Sequence, residues 1–296
     1  MIKTALLSLG LLTAACTGDT FAQALPGTDV WLARLENGVP VKPVKINKSV
    51  GYNNQPHFSE DGSVIYYTRE LTNAEAVAQT DIAAFNTGTS TTTMVIHTSE
   101  SEYSPTPIPG REALSVIQAE ADQKQRLWAI DVNNGEMELL FTDVEPVGYH
   151  AWINDREVAM FILGDSFTLQ TASLDKEGTK LVADNIGRSI RKHPQTGEIL
   201  FVDRNREPWQ IAAYDPETTT VRGVMPLFPA VEDFTIDANG DYWSGNGSKL
   251  YKRSPDDRRW MLMADFKAQG INNISRLAIN LKSQQIALVS DHAIND

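Results

Sequence analysis

Cysteine is almost absent from this sequence, since Cys16 is the only one among 296 residues. A single thiol cannot form a disulfide within the chain, so packing and hydrogen bonds must stabilise the fold even in an oxidising compartment. A chain of this length with 42% apolar residues can bury one large core.

Positive charge is also scarce. The 38 acidic residues outnumber the 26 lysines and arginines, the net charge is −12, and no cluster of basic residues is apparent. This composition argues against nucleic acid and against an anionic membrane surface as partners. It favours a ligand that is neutral, cationic or bridged by a metal ion.

Two further absences limit the function. No segment after the N-terminal region is apolar enough to form a transmembrane segment. The G-x-S-x-G nucleophile elbow of the α/β hydrolases does not occur anywhere in the sequence. The sequence therefore gives no sign of a hydrolase domain with an activated serine.

The first 24 residues have the pattern of an export signal. Lys3 supplies a short positive region, residues 5–15 are apolar but too few to span a bilayer, and residues 22–24 (A-Q-A) form an A-x-A cleavage site. We expect cleavage of this signal peptide (residues 1–24) after Ala24. The mature protein, residues 25–296, is then periplasmic or secreted.

Cys16 offers an alternative end to the signal. Residues 12–15 (L-T-A-A) directly before it resemble a bacterial lipobox, in which the cysteine becomes the lipidated N-terminus. Thr13 occupies a position where leucine is usual in that pattern. A lipid anchor at Cys16 would make the protein an outer-membrane lipoprotein.

A repeated unit organises the rest of the chain. Residues 55–70 (Q-P-H-F-S-E-D-G-S-V-I-Y-Y-T-R-E) predict two short strands joined by a turn, because Asp61-Gly62 supplies the positive φ angles of a tight hairpin. Residues 80–87 and 93–97 predict two more strands. Four strands within about 45 residues are typical of one propeller blade.

Turns of this kind recur along the chain with a spacing of 42 to 48 residues. They fall at Asp61-Gly62, Pro109-Gly110, Asn154-Asp155, Thr196-Gly197, Asn239-Gly240 and Lys282-Ser283. Six such units predict an all-β fold, a six-bladed β-propeller with four-stranded blades, as the single domain of residues 25–296.

The sixth unit ends after two predicted strands, near Asp291. Two further strand patterns lie at the other end of the chain, at residues 29–35 and 41–46. We expect these N-terminal strands to complete the last blade, because this closes the ring and leaves no open sheet edge at the seam.

The first unit resembles a known repeat. Its P-x-F-S-x-D-G-x-x-I-Y-Y-T pattern (residues 56–68), followed by D-I-x-x-x-N-x-x-T from Asp81, is similar to the repeat of the TolB-like β-propellers. The resemblance implies the propeller fold and says little about function. We expect the propeller without the α/β domain that precedes it in TolB, so the role of TolB in the Tol-Pal system is not carried over.

A propeller commonly binds its ligand in a funnel at one end of the central channel, where the innermost strands begin. The residues at these positions are Tyr52, Asn54, Gln55, Glu102, Tyr103, Tyr149, His150, Arg188, Asp233 and Arg276. Their mixed charges suit a zwitterionic or peptide group. The alternative is a polar channel mouth that holds only water.

Histidines raise the alternative of a metal ion in the channel. His57, His150 and His193 fall on predicted innermost strands, where they could converge on one ion. Oligogalacturonate lyases, which look like relatives of the TolB-like propellers, bind a channel metal through histidines and a glutamine, a role that Gln55 would fill here. The other interpretation is ordinary strand histidines and no cofactor.

Two functions remain open at this point. The first is a binding or scaffold protein of the cell envelope, which holds a protein, peptide or glycan in its funnel or on a blade rim. The second is a channel-centred, metal-dependent lyase or lactonase with His150 and either Glu102 or Asp233 at the ion. The missing nucleophile motif favours the first, and the sequence identifies no catalytic residue.

Overall fold

The computed structural model describes residues 25–72 and 78–292. The predicted signal peptide, its cleavage after Ala24 and the lipid anchor at Cys16 lie outside these residues. The described part of the chain is all-β, with one 3₁₀ turn at Lys267–Gln269. It contains no helix with the length and hydropathy of a membrane span.

The strands form six antiparallel sheets of four strands each, and these sheets are the blades of a propeller. In chain order the strands are β1 (Thr28–Glu36), β2 (Val39–Lys45), β3 (Asn53–Phe58), β4 (Val64–Thr72), β5 (Ala78–Asn86), β6 (Thr91–Ile96), β7 (Ser101–Pro107), β8 (Ala113–Ala119), β9 (Gln125–Asp131), β10 (Met137–Leu139), β11 (Val147–Trp152), β12 (Glu157–Ile162), β13 (Thr168–Ser173), β14 (Lys176–Ala183), β15 (Ile186–Lys192), β16 (Ile199–Asp203), β17 (Gln210–Asp215), β18 (Thr220–Pro226), β19 (Thr235–Ile236), β20 (Tyr242–Asn246), β21 (Lys249–Arg253), β22 (Met261–Asp265), β23 (Asn272–Asn280) and β24 (Gln285–Asp291). The predicted six-bladed β-propeller is confirmed.

Each of the first five blades takes four consecutive strands, and the sequence order within a blade runs from the channel outward. Their innermost strands are β3, β7, β11, β15 and β19. The sixth blade has the order β23, β24, β1, β2. Strand β1 pairs antiparallel with β24 from Thr28 opposite Asp291 to Arg34 opposite Gln285. The N-terminal strands therefore complete the last blade, as predicted.

The predicted turns lie between the first and second strands of the blades. At Gly62 the backbone has φ of 75°, which an L side chain rarely adopts. A Cβ atom at this position would also lie 2.2 Å from Ser283 Oγ, on the turn of the sixth blade. Glycine is thus required both by the hairpin and by the contact between the first and last blades.

The core lies between neighbouring blades. Strands β12 and β16 are buried along most of their length, because both faces of a blade pack against other blades. Phe161 and Phe201, one from each strand, belong to a single apolar cluster between the third and fourth blades. The outermost strands β14 and β18 are mainly exposed. The innermost strands therefore stand on a well-packed support.

Asn53 joins the first blade to the strand that closes the ring. Its buried Nδ2 lies 3.2 Å from each of the backbone oxygens of Thr28, Ser49 and Gly51. Its Oδ1 accepts a 2.8 Å hydrogen bond from Ser49 Oγ. The contact with Thr28 is buried and the other three are partly buried, and a buried polar group left without a partner costs about 1 to 3 kcal/mol.

We expect Asn53→Ala to lower the free energy of unfolding by about 3 kcal/mol, because one buried and several partly buried hydrogen bonds are lost together. Urea denaturation measures this change. Asn133→Ala, on an exposed turn, is the matched control and should change the free energy of unfolding by less than about 0.5 kcal/mol. Equal effects of the two substitutions would contradict the role given to Asn53.

Candidate functional site

A cavity of about 390 Å³ occupies the central channel. All six innermost strands contribute to its wall, so it belongs to the ring as a whole rather than to one blade. Five of the residues predicted for the funnel line it: Gln55, Tyr149, His150, Arg188 and Arg276. Cavities of this size, with a few convergent polar groups, are the usual ligand sites of proteins.

Irregular pairing directs these side chains. In five of the six innermost strands the register with the second strand shifts near the point where the strand begins. Gln55 and Ser104 lie at two of these shifts and have φ of 53° and 56°. A bulge of this kind breaks the strict alternation of side chains between the two faces of a strand.

Guanidinium groups dominate one side of the cavity. Arg188 and Arg191 of β15 and Arg276 of β23 all line it, together with the exposed Lys192. Arg276 donates a 2.7 Å hydrogen bond from Nη2 to the hydroxyl of Tyr149, and its Cζ lies 4.7 Å from the centre of the Tyr149 ring. The channel is locally cationic within an acidic protein.

Asp233 compensates part of this charge from behind the wall. Its Oδ2 accepts a 2.9 Å hydrogen bond from the backbone N–H of Leu277. Its Oδ1 lies 3.5 Å from Arg191 Nη2 and 4.0 Å from Arg276 Nη1. The buried carboxylate therefore fixes the middle of β23 and sets the positions of two cavity arginines.

Glu232 plays the corresponding part for Arg188. Its carboxylate accepts a 2.9 Å hydrogen bond from the Arg188 backbone N–H and lies 3.8 Å from Arg188 Nε. It also forms a close ion pair with Arg204. Arg204 lies over the ring of Trp209, 4.6 Å from its centre, which fixes this cation in turn.

His150 is held in the wall by a buried polar pair. Its Nε2 lies 2.6 Å from the hydroxyl of Ser115, which also accepts a 2.8 Å hydrogen bond from Trp152 Nε1. Burial, together with the smaller effect of neighbouring His57, lowers the pKa of His150 to about 3. The imidazole is therefore neutral at pH 7. Among the described residues its Nδ1 has no partner.

The Ser115–His150 pair does not have the geometry of a nucleophile and its base. Ser115 is fully buried, so no substrate reaches its hydroxyl. Within the described ranges no carboxylate contacts Nδ1 of His150, so the third member of a triad is missing as well. The pair orients the imidazole at the cavity wall.

The three candidate metal ligands do not come together. His57 lines the cavity, its Nδ1 lies 3.1 Å from the Phe58 carbonyl oxygen, and desolvation in the channel lowers its pKa. His193 faces its own turn, where Nδ1 accepts a 3.2 Å hydrogen bond from the Gln195 N–H, and it is not part of the lining. In residues 25–72 and 78–292 no group of three or more His, Cys, Asp or Glu side chains is arranged to hold a metal ion.

The other five residues predicted for the funnel are not part of the cavity lining. Asn54 is buried, and its Oδ1 accepts a 2.7 Å hydrogen bond from the Gln55 N–H. Tyr52 is also buried, and Tyr103 packs against the core between the second and third blades. Asp233 and Glu102 are buried behind the wall. They support the site without facing it.

Glu102 is a buried acid between the first two blades. Thr98 Oγ1 and Gln118 Nε2 donate hydrogen bonds of 2.7 and 2.9 Å to its Oε1. Burial, together with the smaller effect of the nearby carboxylate of Asp81, nevertheless raises the pKa of Glu102 to about 7. A protonated Glu102 is therefore favoured in the folded protein below neutral pH.

Sequence reasoning missed two cationic residues of the site, Arg191 and Lys192. A signal for them was present, because residues 188–192 (R-S-I-R-K) hold three positive charges within an acidic chain. Ser115 was also missed. It lies on the second strand of its blade and carries no motif that would mark it.

The fold and the cavity define a class: a six-bladed propeller with a cationic central channel. Structural comparison adds that this fold is the one seen in TolB-like propellers. A putative TolB from Agrobacterium tumefaciens matches with a TM-score of 0.68 and 11% identity, over 91% of this chain and 99% of that chain. TolB from Acinetobacter baumannii matches with a TM-score of 0.58 and 13% identity, over 90% of this chain and 64% of that chain.

An oligogalacturonate lyase from Vibrio parahaemolyticus has a similar structure as well, with a TM-score of 0.55 and 12% identity, over 84% of this chain and 80% of that chain. At such identities the similarity shows the fold alone, and in fold the predicted resemblance to the TolB-like propellers is confirmed. No protein-family model and no curated protein sequence matches the chain.

Proposed function

We propose that this protein is a non-enzymatic binding protein of the cell envelope and that its central cavity holds a segment of a partner. The observation that carries the proposal is a cavity walled by all six innermost strands, with polar side chains fixed by buried partners. Pre-organised groups of this kind favour binding, because little side-chain entropy is lost when a ligand enters. The structural similarity to TolB propellers is in keeping with this role.

The compartment is part of the proposal. The pattern of residues 1–24 supports export to the periplasm or out of the cell, with an outer-membrane lipoprotein anchored at Cys16 as the alternative. In either place the partner is an envelope protein, a peptide or a glycan.

A metal-dependent lyase or lactonase is the second candidate. His150 lines the cavity, and among the described residues its buried Nδ1 has no hydrogen-bond partner. This favours the second candidate, because neutral imidazole is a common metal ligand. The positive charge of Arg191 opposes it, because a cation beside the His57 imidazole weakens the binding of another cation. Metal analysis of the purified protein and of His150→Ala decides: one equivalent of metal that the variant lacks would favour the enzyme.

Blocking the channel tests the binding proposal. Thr106 lines the cavity, and Thr106→Trp places a large side chain in it. We expect partner capture from envelope extracts to fall about tenfold or more, since the partner segment is excluded sterically. Thr91→Trp, on the exposed outer strand β6, is the control and should capture the partner like the wild type. Equal capture by both variants would place binding on a blade rim and contradict a channel site.

A further inference from the structure

The channel arginines have more hydrogen-bond donors than the protein uses. Each guanidinium carries five N–H groups. The side chain of Arg188 donates one hydrogen bond, at 3.5 Å to the Ser275 carbonyl. Arg191 donates two, to the carbonyls of Ile190 and Leu277. Over the described part of the chain, Nε of Arg188 is buried and has no hydrogen-bond partner. A ligand does not reach this buried atom, which lies 3.8 Å from the Glu232 carboxylate. The donors left for a ligand are the N–H groups on the Nη atoms of Arg188 and Arg191 that make no hydrogen bond within the described ranges.

Positive charge around the cavity also exceeds negative charge. The carboxylates of Asp233 and Glu232 lie beside four guanidinium groups, those of Arg188, Arg191, Arg204 and Arg276. Of the described lining residues only Glu60 is acidic, and Lys282 forms a 2.8 Å ion pair with it. A local excess of cations in a protein of net charge −12 marks a site for an anionic group.

The remaining wall is suited to a peptide. Pro56, Phe58, Pro105, Trp152 and Ile279 give the cavity apolar surfaces beside the arginines. Such surfaces pack against the apolar side chains of a peptide. A guanidinium fork matches the two oxygens of a carboxylate in a bidentate arrangement.

We propose that the cavity binds a carboxylate of a peptide segment, either an Asp or Glu side chain or the free C-terminus of the peptide, and that Arg188 and Arg191 are its main contacts. Arg276, fixed by Tyr149, contributes positive charge beside them. This inference rests on the proposed function and adds the chemistry of the ligand. It also explains why an acidic protein has a cationic channel.

The test starts from peptides selected from a random displayed library on the purified mature protein. Peptides that bind the wild type but not Thr106→Trp are then synthesised. Each is made with a free or an amidated C-terminus, and with Asp and Glu changed to Asn and Gln. Calorimetry then measures affinity for the wild type, Arg188→Gln and Arg191→Gln. Arg206→Gln, in an exposed ion pair on the same blade, is the control. Circular dichroism verifies that each variant is folded.

We expect Arg188→Gln and Arg191→Gln each to weaken binding roughly 10- to 100-fold, because a charge-assisted bidentate contact is lost. Arg206→Gln should leave affinity unchanged. Arg191→Lys keeps the charge without the fork and should fall between Arg191→Gln and the wild type. The amidated and Asn/Gln peptides show whether the terminal or a side-chain carboxylate is bound.

Two outcomes would overturn the inference, and they differ in what they say of the proposed function. In the first, peptides excluded by Thr106→Trp bind Arg188→Gln and Arg191→Gln as tightly as the wild type. This would contradict the carboxylate contact but not the binding of peptides in the channel. In the second, the library yields no peptide whose binding Thr106→Trp abolishes. This would contradict both the carboxylate contact and the proposed binding in the channel. Trigalacturonate is tested as an additional ligand. If it binds and no peptide does, the ligand of the cavity is a glycan and the inference is wrong.

Discussion

Replacement of Asp233 by alanine is expected to lower the free energy of unfolding by about 3 kcal/mol. The buried carboxylate accepts the Leu277 N–H and lies beside Arg191 and Arg276. Without it two guanidinium groups lose their counter-charge and one backbone donor loses its partner. Removal of one member of a buried charge pair typically costs about 3 to 5 kcal/mol. The lower figure applies because Arg191 is partly open to the cavity.

Asp233→Asn separates the two contributions. The amide oxygen still accepts the Leu277 N–H, and only the charge is removed, so we expect about half of the loss caused by alanine. Urea unfolding at pH 7 measures both variants, and Asp203→Ala in a more exposed ion pair provides the control. Stability of Asp233→Ala within about 0.5 kcal/mol of the wild type would contradict this role for Asp233.

Replacement of Glu102 by glutamine is expected to stabilise the protein, and the gain depends on pH. Burial raises the pKa of Glu102 from 4.5 to about 7, so the folded state binds a proton that the unfolded state releases. The contribution of this group to stability is full below pH 4.5 and is lost as pH rises to about 7. Glutamine imitates the protonated acid at every pH.

At pH 8 we therefore expect Glu102→Gln to raise the free energy of unfolding by about 2 to 3 kcal/mol, since one unit of pKa corresponds to about 1.4 kcal/mol. At pH 4.5 the difference should be close to zero. Urea denaturation at the two pH values measures it, with exposed Glu136→Gln as a control that changes little at either pH. An equal gain at both pH values would show that Glu102 does not titrate in this range.

The fold was predictable because its signals are local and repeated. Asp61-Gly62 and the equivalent turns recur at a nearly constant interval, and each is flanked by short β-rich segments. The closure of the ring also followed from counting strands. The last unit has only two strands, which end near Asp291, and the two strands of residues 29–46 supply the other half of a four-stranded blade. Neither the blades nor the closure of the ring depends on knowing which way a side chain points, so both could be predicted.

The site was only partly predictable, because side-chain direction depends on strand irregularities. Arg188 and Arg191 are three residues apart, so a regular strand would place them on opposite faces. Both line the cavity, since β15 changes register between Ile186 and Ile190. Position alone likewise could not separate Arg276, which faces the cavity, from Asp233, which is buried behind it.

The net charge of the protein was also a poor guide to the ligand. A charge of −12 favoured a neutral or cationic ligand, yet the cavity collects arginines from the fourth and sixth blades. Charges that lie far apart in the sequence meet at the channel because every blade contributes one strand to it. Only the ring geometry reveals this arrangement.

The central claim is that the channel holds a carboxylate of a bound peptide between its arginines. A crystal structure of the protein with one selected acidic peptide tests it most directly. We predict carboxylate oxygens within about 2.7 to 2.9 Å of guanidinium nitrogens of Arg188 and Arg191, the range of charge-assisted hydrogen bonds. A peptide bound on a blade rim, or in the channel with its carboxylates away from both arginines, would contradict the claim.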